Sequence, residues 1–148
     1  QLNGTKWKKE RGVRWSKVDE HWVIKPQEYM NRSGQVLRDF LQFHHLPHQP
    51  EDLMASLIVV HDELDFPAET VKLQHARSSA GHNGVQSIID AWGGWNGFDR
   101  LRFGIGDNRQ YNIPAEDYVL QKFSADVLPI IERQIDEAVG LLQQKLLK

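Results

Sequence analysis

The chain has 148 residues, 40% of them hydrophobic, a size that suits one compact domain and leaves little material for a second. Eighteen Lys and Arg against 20 Asp and Glu give a formal charge of −2, so any nucleic-acid partner must be met by a local basic surface rather than by the average charge. The absence of cysteine excludes a disulfide framework and a thiolate zinc site, and no apolar run approaches the ~18 residues that a membrane-spanning helix needs.

In chain order, the first segment is basic. Lys6, Lys8, Lys9, Arg11, Arg14 and Lys17 are opposed only by Glu10, an excess that suits either a solvated face or phosphate. Residues 13–18 and 22–25 read as strands joined by a polar turn, and Pro26 ends the second. Apolar residues at Val36, Leu37, Phe40, Leu41 and Phe43 predict an amphipathic helix over 33–46, closed by Pro47. Residues 57–60 are continuously apolar and short, as in a strand covered on both faces. Further strands are expected over 70–76 and 100–105 and helices over 84–92, 116–123 and 125–148, the last with a stripe of Leu128, Ile131, Ile135, Val139 and Leu142. Interleaved strands and helices imply an α/β fold, a three-layer sandwich with a mixed, largely parallel twisted sheet and helices on both faces.

In such folds ligands sit beyond the carboxyl ends of the strands, where loops and helix N-termini leave backbone donors free. Three polar segments fall at or near such places: "KPQEYMNRSG" after the second strand, "VVHDELDFP" after residues 57–60, and "SAGHNGVQSII" before the 84–92 helix. Each has a plain reading, since Asn31 and Asn83 are good helix caps and the acids after Val60 suit a strand end before Pro67. Each also has a chemical one. A carboxamide orients water or a carbonyl without carrying charge, and an aspartate fixes a histidine's tautomer and stabilises its protonated form, a combination suited to ester hydrolysis. His44, His45 and His48 cluster near a helix end, but Pro47 spoils their register and metal binding is not expected.

The three segments, in this order and spacing, resemble those of the bacterial-type peptidyl-tRNA hydrolases. "RLRFGIG" is similar to a fourth family block and "YVLQKF" with "IDEAVGLL" to its C-terminal portion, so the likeness covers about residues 13 to 143. The resemblance implies a cytoplasmic esterase that needs no metal or organic cofactor and frees tRNA from a peptide or N-blocked amino acid. By the same resemblance Asn31 positions the substrate, Asn83 orients the attacking water or the developing oxyanion, and Asp62 orients the catalytic histidine. Met30 lines the cleft, Tyr29 and His82 stand with it on the substrate side, and Arg102 and Lys72 face the tRNA phosphates.

The sequence departs from the family in three places. A family lysine two positions after the one matching Lys72 is replaced by Gln74. The loop 76–80 is poorer in glycine than the family's, with Arg77 as a candidate substitute cation. The family's opening strand and its Thr-Arg-His-Asn segment, whose histidine is the general base, have no match within the 148 residues, so the domain is expected to be N-terminally incomplete. A base of this kind contributes ~10²- to 10⁴-fold, about 3 to 5 kcal/mol of barrier, and the chain alone is expected to be a weak catalyst. With the upstream segment a monomer is expected, and without it the 57–60 strand has an edge open to association. A relative that binds RNA or protein without catalysis is the alternative.

Overall fold

The computed structural model describes residues 6–147, and these form two compact units, the described residues up to 56 with 77–97, and residues 57–76 with those from 98 onward. The architecture is α/β with a mixed sheet, and the strands divide between two three-stranded sheets, one in each unit.

In the first unit β1 (Lys8–Glu10), β2 (Val13–Val18) and β3 (His21–Pro26) form an antiparallel meander. The β1–β2 turn is the pair Arg11 and Gly12, both at positive φ (47° and 74°), the backbone twist a two-residue hairpin needs. β1 has no apolar alternation, which is why the sequence reading missed it. One side of the sheet packs on α1 (Ser33–Phe43), where Val13, Val36 and Phe40 are buried and Trp15, Trp22, Ile24 and Leu46 close around them. Glu10 reaches into this cluster, accepting hydrogen bonds from Trp15 Nε1 (2.7 Å) and His44 Nε2 (2.6 Å).

α1 ends at Phe43, earlier than the expected Leu46, because His45 turns left-handed (φ 51°) and the Leu46 amide closes back onto the Leu41 carbonyl (2.9 Å). This Schellman-type stop acts before Pro47 is reached. A single helical turn, α2 (Pro50–Leu53), follows. The last helix of the unit, α3 (Asn83–Ala91), meets α1 closely: the Gly34 amide donates to Ser87 Oγ (2.9 Å), and a Cβ at Gly34 would lie 2.0 Å from the Ser87 carbonyl oxygen. Gly34→Ala must therefore part the two helices, and a loss of about 1–3 kcal/mol is expected, read as a lower urea midpoint with an unchanged slope. Gly84→Ala should cost less, since the nearest atom to its Cβ, 2.5 Å away, is the Met30 sulfur at the end of a flexible side chain. Equal costs for the two would mean that close helix approach is not what Gly34 serves.

In the second unit β4 (Ile58–Glu63), β5 (Val71–His75) and β6 (Asp99–Gly104) take the order β4-β6-β5, with β4 parallel and β5 antiparallel to the central β6. The expected 116–123 helix is only the turn α4 (Ala115–Tyr118), preceded by a 3₁₀ turn at Asn108–Tyr111. The long helix α5 (Leu128–Leu146) packs Ala138, Leu141 and Leu142 against Ile58, Val71, Leu73, Leu101 and Phe103; Lys148, in the expected span, lies outside the described residues. Its buried face differs from the expected stripe. Gln134 is 1% exposed whereas Leu128, Ile135 and Val139 stand half exposed. The Gln134 amide donates to the carbonyls of Thr70 (3.1 Å) and Gly104 (2.9 Å), backbone acceptors at strand ends that hydrophobic periodicity does not register.

Candidate active site

Both carboxamides expected to act on substrate belong to the first unit. Asn31 is exposed in the 3₁₀ turn Met30–Arg32 between β3 and α1, and neither helical start there has a side-chain cap bond. Asn83 is the first residue of α3, also exposed, and capping falls to its neighbour: His82 Nδ1 accepts from the amides of Gly84 (3.1 Å) and Val85 (3.2 Å). His82 thus serves the backbone through Nδ1, a structural duty beside the substrate-side role expected of it. The capping reading of the two asparagines does not hold, which leaves both side chains available to a ligand.

The segments carrying them touch. The Met30 sulfur sits over Gly84 and lies 3.8 Å from the Ser33 hydroxyl that donates to it, so the residue before Asn31 packs on the residue after Asn83. Met30 remains half exposed, and Tyr29 is almost fully so.

Asp62 lies in the second unit, near the carboxyl end of β4, where it borders a cavity of about 740 Å³. Phe66, Gly106, Tyr111, Tyr118 and Phe123 line the same cavity, where aromatic rings alternate with charged side chains such as Asp65, Asp107, Arg109 and Lys122. Tyr111 and Tyr118 stack at 6.1 Å, and the Tyr118 hydroxyl donates to the Ile105 carbonyl (2.7 Å). Burial raises the Tyr118 phenol above its ordinary range, which keeps it a donor at neutral pH. Gly106 holds φ +86°, and a Cβ there would come within 3.2 Å of that hydroxyl. None of the aromatic lining was singled out from sequence; its signal was the run of Tyr and Phe between Gly106 and Val127.

The histidine beside Asp62 is not available as a base. Arg100 Nε donates to His61 Nε2 (3.0 Å), which fixes that nitrogen as an acceptor and places the proton on Nδ1, bonded to the Asp62 carbonyl (2.6 Å). His61 is a buried, satisfied imidazole. His44 is engaged by Glu10 and His48 by the Leu46 carbonyl, and among the described residues no group of three or more His, Cys, Asp or Glu is placed to hold a metal ion.

Of the two cations expected to face phosphate, Arg102 is corrected by the structure. It is 4% exposed and its guanidinium is bound within the unit: Nε and Nη2 to Glu63 Oε2 (3.0 and 2.5 Å), and Nη1 to Gln74 Oε1. Burial and these internal bonds keep the guanidinium from facing a phosphate on the surface. Gln74, the departure from the family's lysine, is thus an acceptor for Arg102, a part no lysine can play. Lys72 is exposed, with its ammonium 4.7 Å from the centre of the Phe66 ring.

The elements define a mixed α/β protein. The peptidyl-tRNA hydrolase family model matches residues 2–148, and the chain belongs to that family. It is 41% identical over 113 residues to a peptidyl-tRNA hydrolase of Bdellovibrio bacteriovorus, covering 75% of this chain and 57% of the relative. To that of Bacillus subtilis it is 33% identical over 149 residues, covering 100% and 74%. The crystal structure of the Acinetobacter baumannii peptidyl-tRNA hydrolase superposes with a TM-score of 0.72 at 27% identity, over 96% of this chain and 75% of that one. The chain spans 57% and 60% of the length of the Bdellovibrio and Geobacter sulfurreducens relatives. Among the described residues no helix is long and apolar enough to cross a membrane.

Proposed function

We propose that this chain carries the substrate-holding part of a cytoplasmic esterase that cleaves the bond between a peptide, or an N-blocked amino acid, and the 3′ end of tRNA. The observation that carries the reading is that Asn31 and Asn83 are exposed and freed from capping, on segments packed together at Met30 and Gly84. Family membership and the position of Asp62 beside a cavity support it.

In the proposed reaction water attacks the ester carbonyl and its proton passes to the histidine of a Thr-Arg-His-Asn segment. Asp62 stabilises the resulting imidazolium, and the Asn83 carboxamide donates to the oxyanion while Asn31 holds the substrate. Collapse breaks the bond to the tRNA 3′ oxygen, which leaves with the proton returned by the imidazolium. Lys72 is assigned to the phosphates.

The test is deacylation of an N-acetylated aminoacyl-tRNA by the 148-residue chain joined to the family's Thr-Arg-His-Asn segment, with excess chelator present. Release of the acid above the buffer rate is expected. Tight tRNA binding with background release would instead establish a non-catalytic RNA-binding relative of the family.

A further inference from the structure

The basic excess of the first segment is sorted by the meander into two sides. Lys9 pairs with Arg14 and Arg14 with Lys25 in the strand register, so the three stand in one row across β1, β2 and β3. Register partners project to the same side of an antiparallel sheet, and all three are exposed. Glu10, the acid of the segment, follows Lys9 and therefore points to the opposite side, where Trp15 and His44 hold its carboxylate. Among the described residues no ion pair reaches Lys9, Arg14 or Lys25. Beside the row, the Arg14 guanidinium lies 5.8 Å from the centre of the Trp7 ring, itself 42% exposed.

Like charges directly opposite one another weaken a sheet. Three in a row, with their one sequence neighbour of opposite charge removed to the other side, are a local cost to folding that an anionic partner offsets. We propose that this row is a docking surface for the phosphate backbone of RNA, set on the β1–β3 sheet and additional to the cation at Lys72. Strands lie about 4.8 Å apart, so the row offers three cations over roughly 10 Å, a length that meets consecutive phosphates of one strand. Trp7, beside the Arg14 guanidinium, adds a flat apolar surface of the kind on which an unpaired base stacks. The choice of RNA over other polyanions rests on the esterase reading of the same chain.

The experiment measures binding of deacylated tRNA, which requires no hydrolysis, to the 148-residue chain over about 50 to 200 mM salt. For the variant Lys9→Gln/Arg14→Gln/Lys25→Gln, affinity at low salt should fall at least about 10-fold, and the log–log salt slope should shrink by about 2 to 3, at roughly 0.7 to 0.9 for each phosphate no longer neutralised. The charge-preserving Lys9→Arg/Lys25→Arg variant should keep the parent's slope. A melting midpoint of the neutralised variant equal to or above the parent's, as relief of repulsion requires, excludes unfolding as the cause. An unchanged slope, or loss of binding to phosphatidylserine vesicles with tRNA binding intact, overturns the proposal. The esterase reading is judged separately: hydrolysis by the chain joined to the Thr-Arg-His-Asn segment, with an unchanged slope in the neutralised variant, removes the docking row and keeps the esterase. A reduced slope without hydrolysis does the reverse.

Discussion

Asn83→Ala, in the 148-residue chain joined to the Thr-Arg-His-Asn segment, is expected to slow ester turnover about 10²- to 10³-fold, as loss of an oxyanion donor does. The melting midpoint should stay within about 2 °C, since an exposed side chain without structural bonds contributes little to stability. His82→Ala should separate the two roles at the adjacent position. It removes the acceptor for two first-turn amides of α3, so about 0.5–2 kcal/mol of stability should go with it. Asp62→Asn should cost turnover about 10²- to 10⁴-fold, because an amide cannot stabilise a neighbouring imidazolium. Turnover by Asn83→Ala equal to the parent's, with product release excluded as the slow step, would remove the oxyanion role from that residue.

The second large effect concerns stability. Glu63→Ala strands the buried Arg102 guanidinium without its carboxylate, and loss of about 3–5 kcal/mol is expected, a drop of roughly 10 °C in melting temperature at this chain length. The double variant Glu63→Leu/Arg102→Met should recover most of that loss, because two apolar side chains carry no desolvation penalty. The pH dependence has a definite sign. Burial pushes the Glu63 carboxyl up, but the Arg102 guanidinium and the Asp65 amide pull it down further, leaving it below its ordinary 4.5. A carboxylate depressed by folding contributes stability that is full above the unfolded value and fades as pH falls through the folded one. The acid limb of the parent should therefore steepen below about pH 4.5, and Glu63→Gln should flatten it. Asp99 adds to the same limb: burial raises it, yet Lys145 (2.6 Å) and His75 (2.7 Å) lower it more. An Arg102→Met protein that melts with the parent but binds tRNA with a shallower salt slope would return Arg102 to the phosphate-facing role.

Strand 13–18 was legible to the residue, because Val13, Trp15 and Val18 favour a strand and polar turns bound it on both sides. The start of α1, where its apolar periodicity begins, and the three polar segments were legible for a related reason, since periodicity, turn and motif chemistry act over a few consecutive residues. The α5 face was not. Its sequence offers Ile135 and Val139 to a core, and the fold takes Gln134 instead because two strand-end carbonyls needed donors. Arg102 read as a surface cation for the same reason: the acceptors that bury it, Glu63 and Gln74, lie on the two strands flanking β6.

By itself, then, the sequence determined the α/β class, most helix and strand positions, the family, and which carboxamides and carboxylate are candidates for chemistry. Tertiary structure alone decided that Gln134 takes a buried place on α5, that Arg102 is internal, and that Lys9, Arg14 and Lys25 share one side of a sheet. Periodicity and capping are interactions among neighbours along the chain. Partnership between distant groups is set by register and packing, which exist only once the elements have come together.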